Sequence, residues 1–365
     1  MKRSILTLSL LSALAVTSCQ RDFDEVTPQR EPQASETGSP TTPARAFLST
    51  QGAEAGVLYF RIQRSAKSSL RAFDANGASM SSLPSQMAQS LRSIGTESLE
   101  PLFPIDPRFE ERMRREGLDL WYVVRFNKQQ DLQAAMQTLA STPEIEYTEP
   151  VYEIARPTGK AVAVDAPRRS DAPAAPFDDP MLGDQWHYNN TGRFSRSIAG
   201  ADIGLFKAWE KETGKPNVIV AITDGGIDIT HPDLKDNLFV NQKELNGQEG
   251  VDDDGNGFID DINGFNFIHN NGKIYPDDES HGTHVAGTVA ARNNNGIGVA
   301  GIAGGDGTEG SGARLMSCQI FGGEREGGNS ANAIVYSANN GAVISQNSWG
   351  YIYKANITAI PQSQK

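Results

Sequence analysis

Two stretches of the 365-residue sequence carry side chains able to move a proton. The first is Asp224-Gly225-Gly226-Ile227-Asp228, which follows the apolar run Val218–Ile222 and leads into His231-Pro232-Asp233-Leu234. The second is His281-Gly282-Thr283-His284-Val285-Ala286-Gly287-Thr288-Val289-Ala290-Ala291, which opens a helical pattern. A carboxylate that accepts the Nδ1 hydrogen of an imidazole fixes the ring's tautomer. It also stabilises the imidazolium formed when the other nitrogen takes a proton. Asp224 and His281 could form such a pair, two-thirds of a nucleophilic triad, if the fold brings them together. A second chemistry is metal ligation by His281 and His284, three residues apart. It lacks a following Glu or a further His at ligand spacing. Alone, Asp224 reads as a turn or cap residue and Trp349 as core.

The elements around these residues can place them. Val218–Ile222 is continuously apolar, as a parallel strand covered on both faces must be, and similar runs recur at Leu315–Ile320 and Val343–Ile344. Helical patterns at His281–Arg292 and about Ser330–Asn339 lie among them, so the predicted class from Asp178 onward is a doubly wound α/β parallel sheet. Chemistry in such sheets gathers at the carboxyl ends of the strands, where Asp224 sits. Upstream, a small α+β unit is expected over residues 46–154, with Val57–Ile62 strand-like. Asp106 and Pro107 form an N-cap and first helical position, and Gly117 is the stop. Leu118–Phe126 is β-rich, and Leu132, Ala135, Met136 and Leu139 fall at helical spacing before Pro143. A last strand is expected at Glu144–Thr148.

Between the Asp and His blocks, Asp252-Asp253-Asp254-Gly255-Asn256-Gly257-Phe258-Ile259-Asp260-Asp261 fits a calcium loop. Asp252, Asp254 and Asn256 supply oxygens at positions 1, 3 and 5, and Gly257 makes the sharp turn. The Phe258 carbonyl falls at position 7 and Asp260 at position 9. Asn263 replaces the bidentate Glu at position 12, so a weaker site is expected. The other reading is a solvated acidic turn.

The Asp block, the His block and Asn347-Ser348-Trp349-Gly350 together resemble the subtilisin-like serine proteases (subtilases). Asp179-Pro180, Gln185-Trp186 and Ala208-Trp209-Glu210 fall in the same family order, and the likeness covers about Asp178 to Tyr351. The resemblance implies Asp224 as the orienting carboxylate, His281 as general base and His284 as a packed structural residue. It makes Ser348, Trp349 and Gly350 a strand that binds substrate backbone, with Trp349 walling a side-chain pocket. It also implies a second calcium held by Asp233, the Asn295 side chain and the carbonyls of Ile297 and Val299, where the other reading is a polar turn. Gly225 departs from the family's Ser or Thr, whose hydroxyl donates to the carboxylate. Backbone amides or water are expected to replace that donor.

The ends add context. A net charge of −12 and a pI near 5.0 argue against a nucleic-acid partner, since phosphate binding needs clustered Lys and Arg. Residues 1–19 read as a signal peptide, with Lys2 and Arg3 before an apolar run too short to span a bilayer. Cys19 is placed as the lipidated residue of a lipoprotein, against the alternative of a plain cleaved leader. Residues 20–45 read as a tether and 155–177 as a linker whose Arg168-Arg169 pair reads either as a processing site or as two solvated charges in a loop. Cys318 is expected as a buried small hydrophobe. No Gly-Thr-Ser motif for the family's nucleophile occurs in the 365 residues. The expected architecture is therefore a truncated subtilisin-like domain over residues 178–365, preceded by a prodomain acting in cis. The expected function is a calcium-dependent, envelope-anchored serine endopeptidase acting on peptides or proteins. The alternative is a catalytically inactive calcium-binding peptide-recognition lipoprotein.

Overall fold

The computed structural model describes residues 49–68, 83–156, 175–193, 197–278, 280–322 and 329–351. All belong to one compact unit, Phe47–Lys365. Cys19, the leader, the tether and Arg168-Arg169 lie outside the described residues.

The N-terminal sheet is antiparallel, with order β2-β3-β1-β4. Its strands are β1 (Ala53–Ile62), β2 (Thr96–Pro101), β3 (Trp121–Phe126) and β4 (Ile145–Tyr152). Alternation along β1 and β3 sorts side chains to two faces, as the pleat requires. Leu58, Phe60, Ile62, Tyr122, Val124 and Phe126 point to one face. There they pack with helices α1 (Ser85–Ser93) and α3 (Leu132–Ala140). Val57, Trp121 and Val123 point to the other. They share an apolar cluster with Leu102, Phe103 and Met113, and with Ala331 and Val335 of a later helix. Asp106 accepts the Arg108 N–H at 2.9 Å, Pro107 opens a short 3₁₀ turn, and α2 (Glu110–Glu116) ends at left-handed Gly117 (φ 75°). β4 carries Pro150 without loss because it is an outer strand.

Two elements escape the sequence pattern. α1 offers only Met87, Ala88 and Leu91 among polar residues, and β2 buries only Leu99. β4 also continues to Tyr152, and Leu118–Leu120 is a 3₁₀ turn rather than strand.

The second sheet has order β7-β8-β6-β9, and all its pairs are parallel. Its strands are β6 (Ile219–Asp224), β7 (Gly264–Asn266), β8 (Arg314–Gln319) and β9 (Ala342–Asn347). Val220, Ile222 and Leu315 face α6 (His281–Ala290) through Ala286 and Ala290. Ala221, Met316 and Cys318 face α7 (Ser330–Asn339) through Ala333 and Tyr336. Cover on both faces explains the continuous apolar runs. Cys318 is fully buried, and that burial raises its thiol pKa. β9 is an outer strand with Val343 69% and Ile344 50% exposed. Helix α4 (Leu205–Trp209) precedes β6, α5 (Gln242–Leu245) lies between β6 and β7, and α6 stops at Ala290, short of Arg292. No helix among the described residues is long and apolar enough to cross a membrane.

Candidate active site

Asp224 is the last residue of β6 and His281 the first of α6. Their side chains meet: His281 Nδ1 lies 2.8 Å from Asp224 Oδ1. Two backbone features allow this approach. A Cβ on Gly282 would sit 2.5 Å from the Gly226 carbonyl oxygen, so helix and turn touch where only glycine fits. Asp228 N–H donates to Thr283 Oγ1 at 2.9 Å, pinning the loop after β6 to the helix. The Asp224 side chain is 1% exposed and the His281 ring 27%. Thus the carboxylate is dry while the imidazole reaches solvent through its far side. His284 departs from expectation, being exposed rather than packed.

The Gly225 N–H donates to Asp224 Oδ1 at 2.7 Å, the same oxygen that meets the imidazole. Asp224 Oδ2 is buried without a hydrogen-bond partner. A Cβ at position 225 would fall on the Asp277 carboxylate, which would have to shift to admit it. Glycine there follows from the position of Asp277.

Ser348, Trp349 and Gly350 follow β9. Gly350 opens β10 (Gly350–Tyr351), which pairs antiparallel with β5 (Ile154–Ala155), the tail of the N-terminal unit. In register, Gly350 faces Ala155 and Tyr351 faces Ile154. Trp349 donates its indole N–H to the Thr223 carbonyl at 3.0 Å and joins Tyr351 in the apolar cluster that buries Ile154. The Ser348 hydroxyl accepts from Gln346 Nε2 at 3.1 Å. Backbone pairing at this edge is strand addition, one of the ways proteins hold extended peptides.

The profile of the subtilase family matches residues 215–363, and that of the N-terminal domain of the subtilase family matches residues 65–192. The chain belongs to the subtilase family. Among curated relatives of this subtilase, Subtilisin-like protease 1 of Plasmodium berghei is 54% identical over 83 residues, 23% of this chain and 14% of that protein. Extracellular basic protease of Dichelobacter nodosus is 29% identical over 217 residues, 56% of this chain and 30% of that protein. A solved structure, the epidermin leader peptide processing serine protease of Staphylococcus aureus, is similar at 16% identity with a TM-score of 0.40. It covers 82% of this chain and 50% of that one. The chain spans from 14% to 30% of the length of the two curated relatives named.

The acidic loop of this subtilase brings three carboxylates together. Oxygens of Glu244, Asp254 and Asp261 lie within 4.8 Å of one another. Hard oxygen donors at this spacing could hold a calcium ion, while in this structure Glu244 accepts from the N–H groups of Asp253, Asp254 and Asp260. Burial, the largest cause, raises the Asp261 pKa to about 6, although Tyr336, Asn256 and Asn241 donate hydrogen bonds to it. Arg108 of the N-terminal unit reaches Asp254 Oδ2 at 2.8 Å. The carboxylate of Asp252 accepts from the N–H groups of Asn256 and Gly257, and Asn256 Oδ1 accepts from Phe258 N–H. Asp260 has a left-handed backbone (φ 55°) and its carboxylate accepts from Gly250 N–H at 3.0 Å, while its neighbour Asp261 is buried. Glu244 lies on α5, eight positions before Asp252, where no local spacing flags it.

The second loop is arranged differently. Both oxygens of Asp233 receive N–H donors, from Asn295 Nδ2 at 2.9 Å and Val299 N at 3.0 Å. Asn295 Oδ1 accepts from Ile297 N at 3.1 Å. In this arrangement these side-chain acceptors serve the loop itself.

Proposed function

We propose that this subtilase sequence belongs to an exported serine endopeptidase whose Asp224–His281 pair activates a serine. The observation that carries the reading is the 2.8 Å contact between a dry carboxylate and a half-buried imidazole. In the proposed reaction His281 Nε2 takes the serine hydroxyl proton as the oxygen attacks the peptide carbonyl. It then gives that proton to the departing amine, and water repeats the sequence on the acyl-enzyme. Asp224 holds the ring and offsets its transient charge without taking the proton. The sequence contains no Gly-Thr-Ser motif, and we assign the nucleophile to a further part of the protein. Calcium at Glu244, Asp254 and Asp261 would stiffen the acidic loop, and Cys19 would carry a lipid anchor. β5 on β10 supports a prodomain that fills the substrate strand in cis.

A serine-directed fluorophosphonate probe tests this reading on the full-length protein. Labelling of the wild type that is lost in His281→Ala is the expected result. Absence of labelling with peptide binding retained would favour the non-catalytic peptide-recognition reading instead.

A further inference from the structure

The tail that pairs with β10 continues into Arg156, whose side chain is largely buried. Its guanidinium forms an ion pair with Asp277, whose side chain is 3% exposed, and the Arg156 side chain itself is 17% exposed. Arg156 Cζ lies 5.4 Å from the centre of the Phe321 ring, over its face. The floor of this pocket is Gly225, the residue after the active-site carboxylate: a Cβ there would meet Asp277 Oδ2 at 1.8 Å and Arg156 Nη1 at 3.3 Å. Asp277 is itself held firmly. Its N–H donates to Gly225 O at 3.0 Å, and its Oδ1 accepts the His281 N–H at 3.2 Å. A buried carboxylate beside an aromatic face, opening beside the peptide-pairing strand, is a receptor for a planar cation.

We propose that Asp277, with Phe321 and Gly225, forms a specificity pocket for an arginine side chain in bound peptides. Arg156 is the chain's own occupant of that pocket. The inference rests on the endopeptidase reading of the same site and names its substrate class: extended peptides carrying Arg immediately after the residue paired with Gly350. The register fixes that position, since Ala155 faces Gly350 and Arg156 is next. The pocket also accounts for glycine at position 225, because any side chain there would displace the carboxylate that reads the cation.

The test uses Arg156→Ala in the full chain, which opens the pocket. It compares acetyl-Tyr-Glu-Ile-Ala-Arg-amide with the same peptide carrying neutral, near-isosteric citrulline, both fluorescently labelled. The arginine peptide is expected to bind about tenfold tighter or more, and Asp277→Asn on that background is expected to bring the ratio to about one. Residual pairing of the cis tail competes equally with both peptides and cancels in the ratio. Equal binding of the two peptides to Arg156→Ala, or a ratio that survives Asp277→Asn, would overturn the proposal. The first comparison leaves Asp277 intact, so misfolding of Asp277→Asn does not remove the test. Hydrolysis of matched quenched peptides separates this proposal from the reading beneath it. Asp277-dependent Arg selectivity in binding without hydrolysis upholds the pocket and sinks the endopeptidase. Hydrolysis that ignores the Arg-to-citrulline change does the reverse.

Discussion

At the residue scale, Asp224 and His281 can meet because two glycines remove side chains from the approach. Gly282 lets the helix touch the turn at the Gly226 carbonyl, and Gly225 leaves room for Asp277. Gly225→Ser would add the hydroxyl that relatives of this family carry, yet its Cβ falls on the Asp277 carboxylate. It is expected to destabilise the fold by about 1–3 kcal/mol, read as a lower urea midpoint at unchanged slope. Gly225→Ser combined with Asp277→Ala is expected to recover much of that loss. Asp224 and His281 were legible from residue type and from their places after an apolar strand and at a helix start. Asp277 was not. A single acid in Pro276-Asp277-Asp278 has no spacing that marks it, and its role depends on Arg156, 121 positions away in the chain.

At the element scale, the N-terminal sheet docks through one of its faces. Val57, Trp121 and Val123 share a cluster with Ala331 and Val335 of α7, while Arg112 reaches Asn339 Oδ1 at 2.5 Å and Asn329 Nδ2 reaches the Leu102 carbonyl at 3.2 Å. Ala331→Asp places a carboxylate inside that seam and is expected to weaken docking by about 3 kcal/mol. Hydrogen exchange along Ser330–Asn339 would report it, with protection of the β1 and β3 amides largely kept. Met136→Ala acts on the opposite face, in the core under α3, and is expected to cost about 2–5 kcal/mol of global stability. The buried strands of the second sheet could be read from the sequence because cover on both faces demands an unbroken apolar run. α1 and β2 could not, because each buries so few side chains that neither period stands out. The antiparallel pairing of β5 with β10 joins two-residue strands nearly 200 positions apart, and only the folded chain shows it.

At the scale of the whole molecule, two units meet at both ends of the proposed active region. The tail strand β5 lies on β10, whose neighbour Trp349 donates to the Thr223 carbonyl next to Asp224, and Arg108 reaches across to the acidic loop at Asp254. The Arg108 guanidinium therefore offsets part of the loop's negative charge, and the proposed calcium would offset more. Calcium at a hundred times its dissociation constant is expected to stabilise the protein by about 2.7 kcal/mol, with a matching fall in thermal midpoint on chelation. Asp254→Ala is expected to abolish that difference, and differential scanning calorimetry would show it. The alternating Asp252, Asp254 and Asn256 pattern pointed to this loop. The burial of Asp261 beside the left-handed turn at Asp260 lies outside any period in the sequence.

In the proposed reaction Asp224 orients His281 for proton transfer, and the most direct measurement is kcat/KM for a quenched peptide substrate with the full-length protein and its Asp224→Asn variant. A loss of about 10⁴-fold with the fold intact is expected, since the amide would favour the wrong imidazole tautomer. Hydrolysis by Asp224→Asn at the wild-type rate would contradict it.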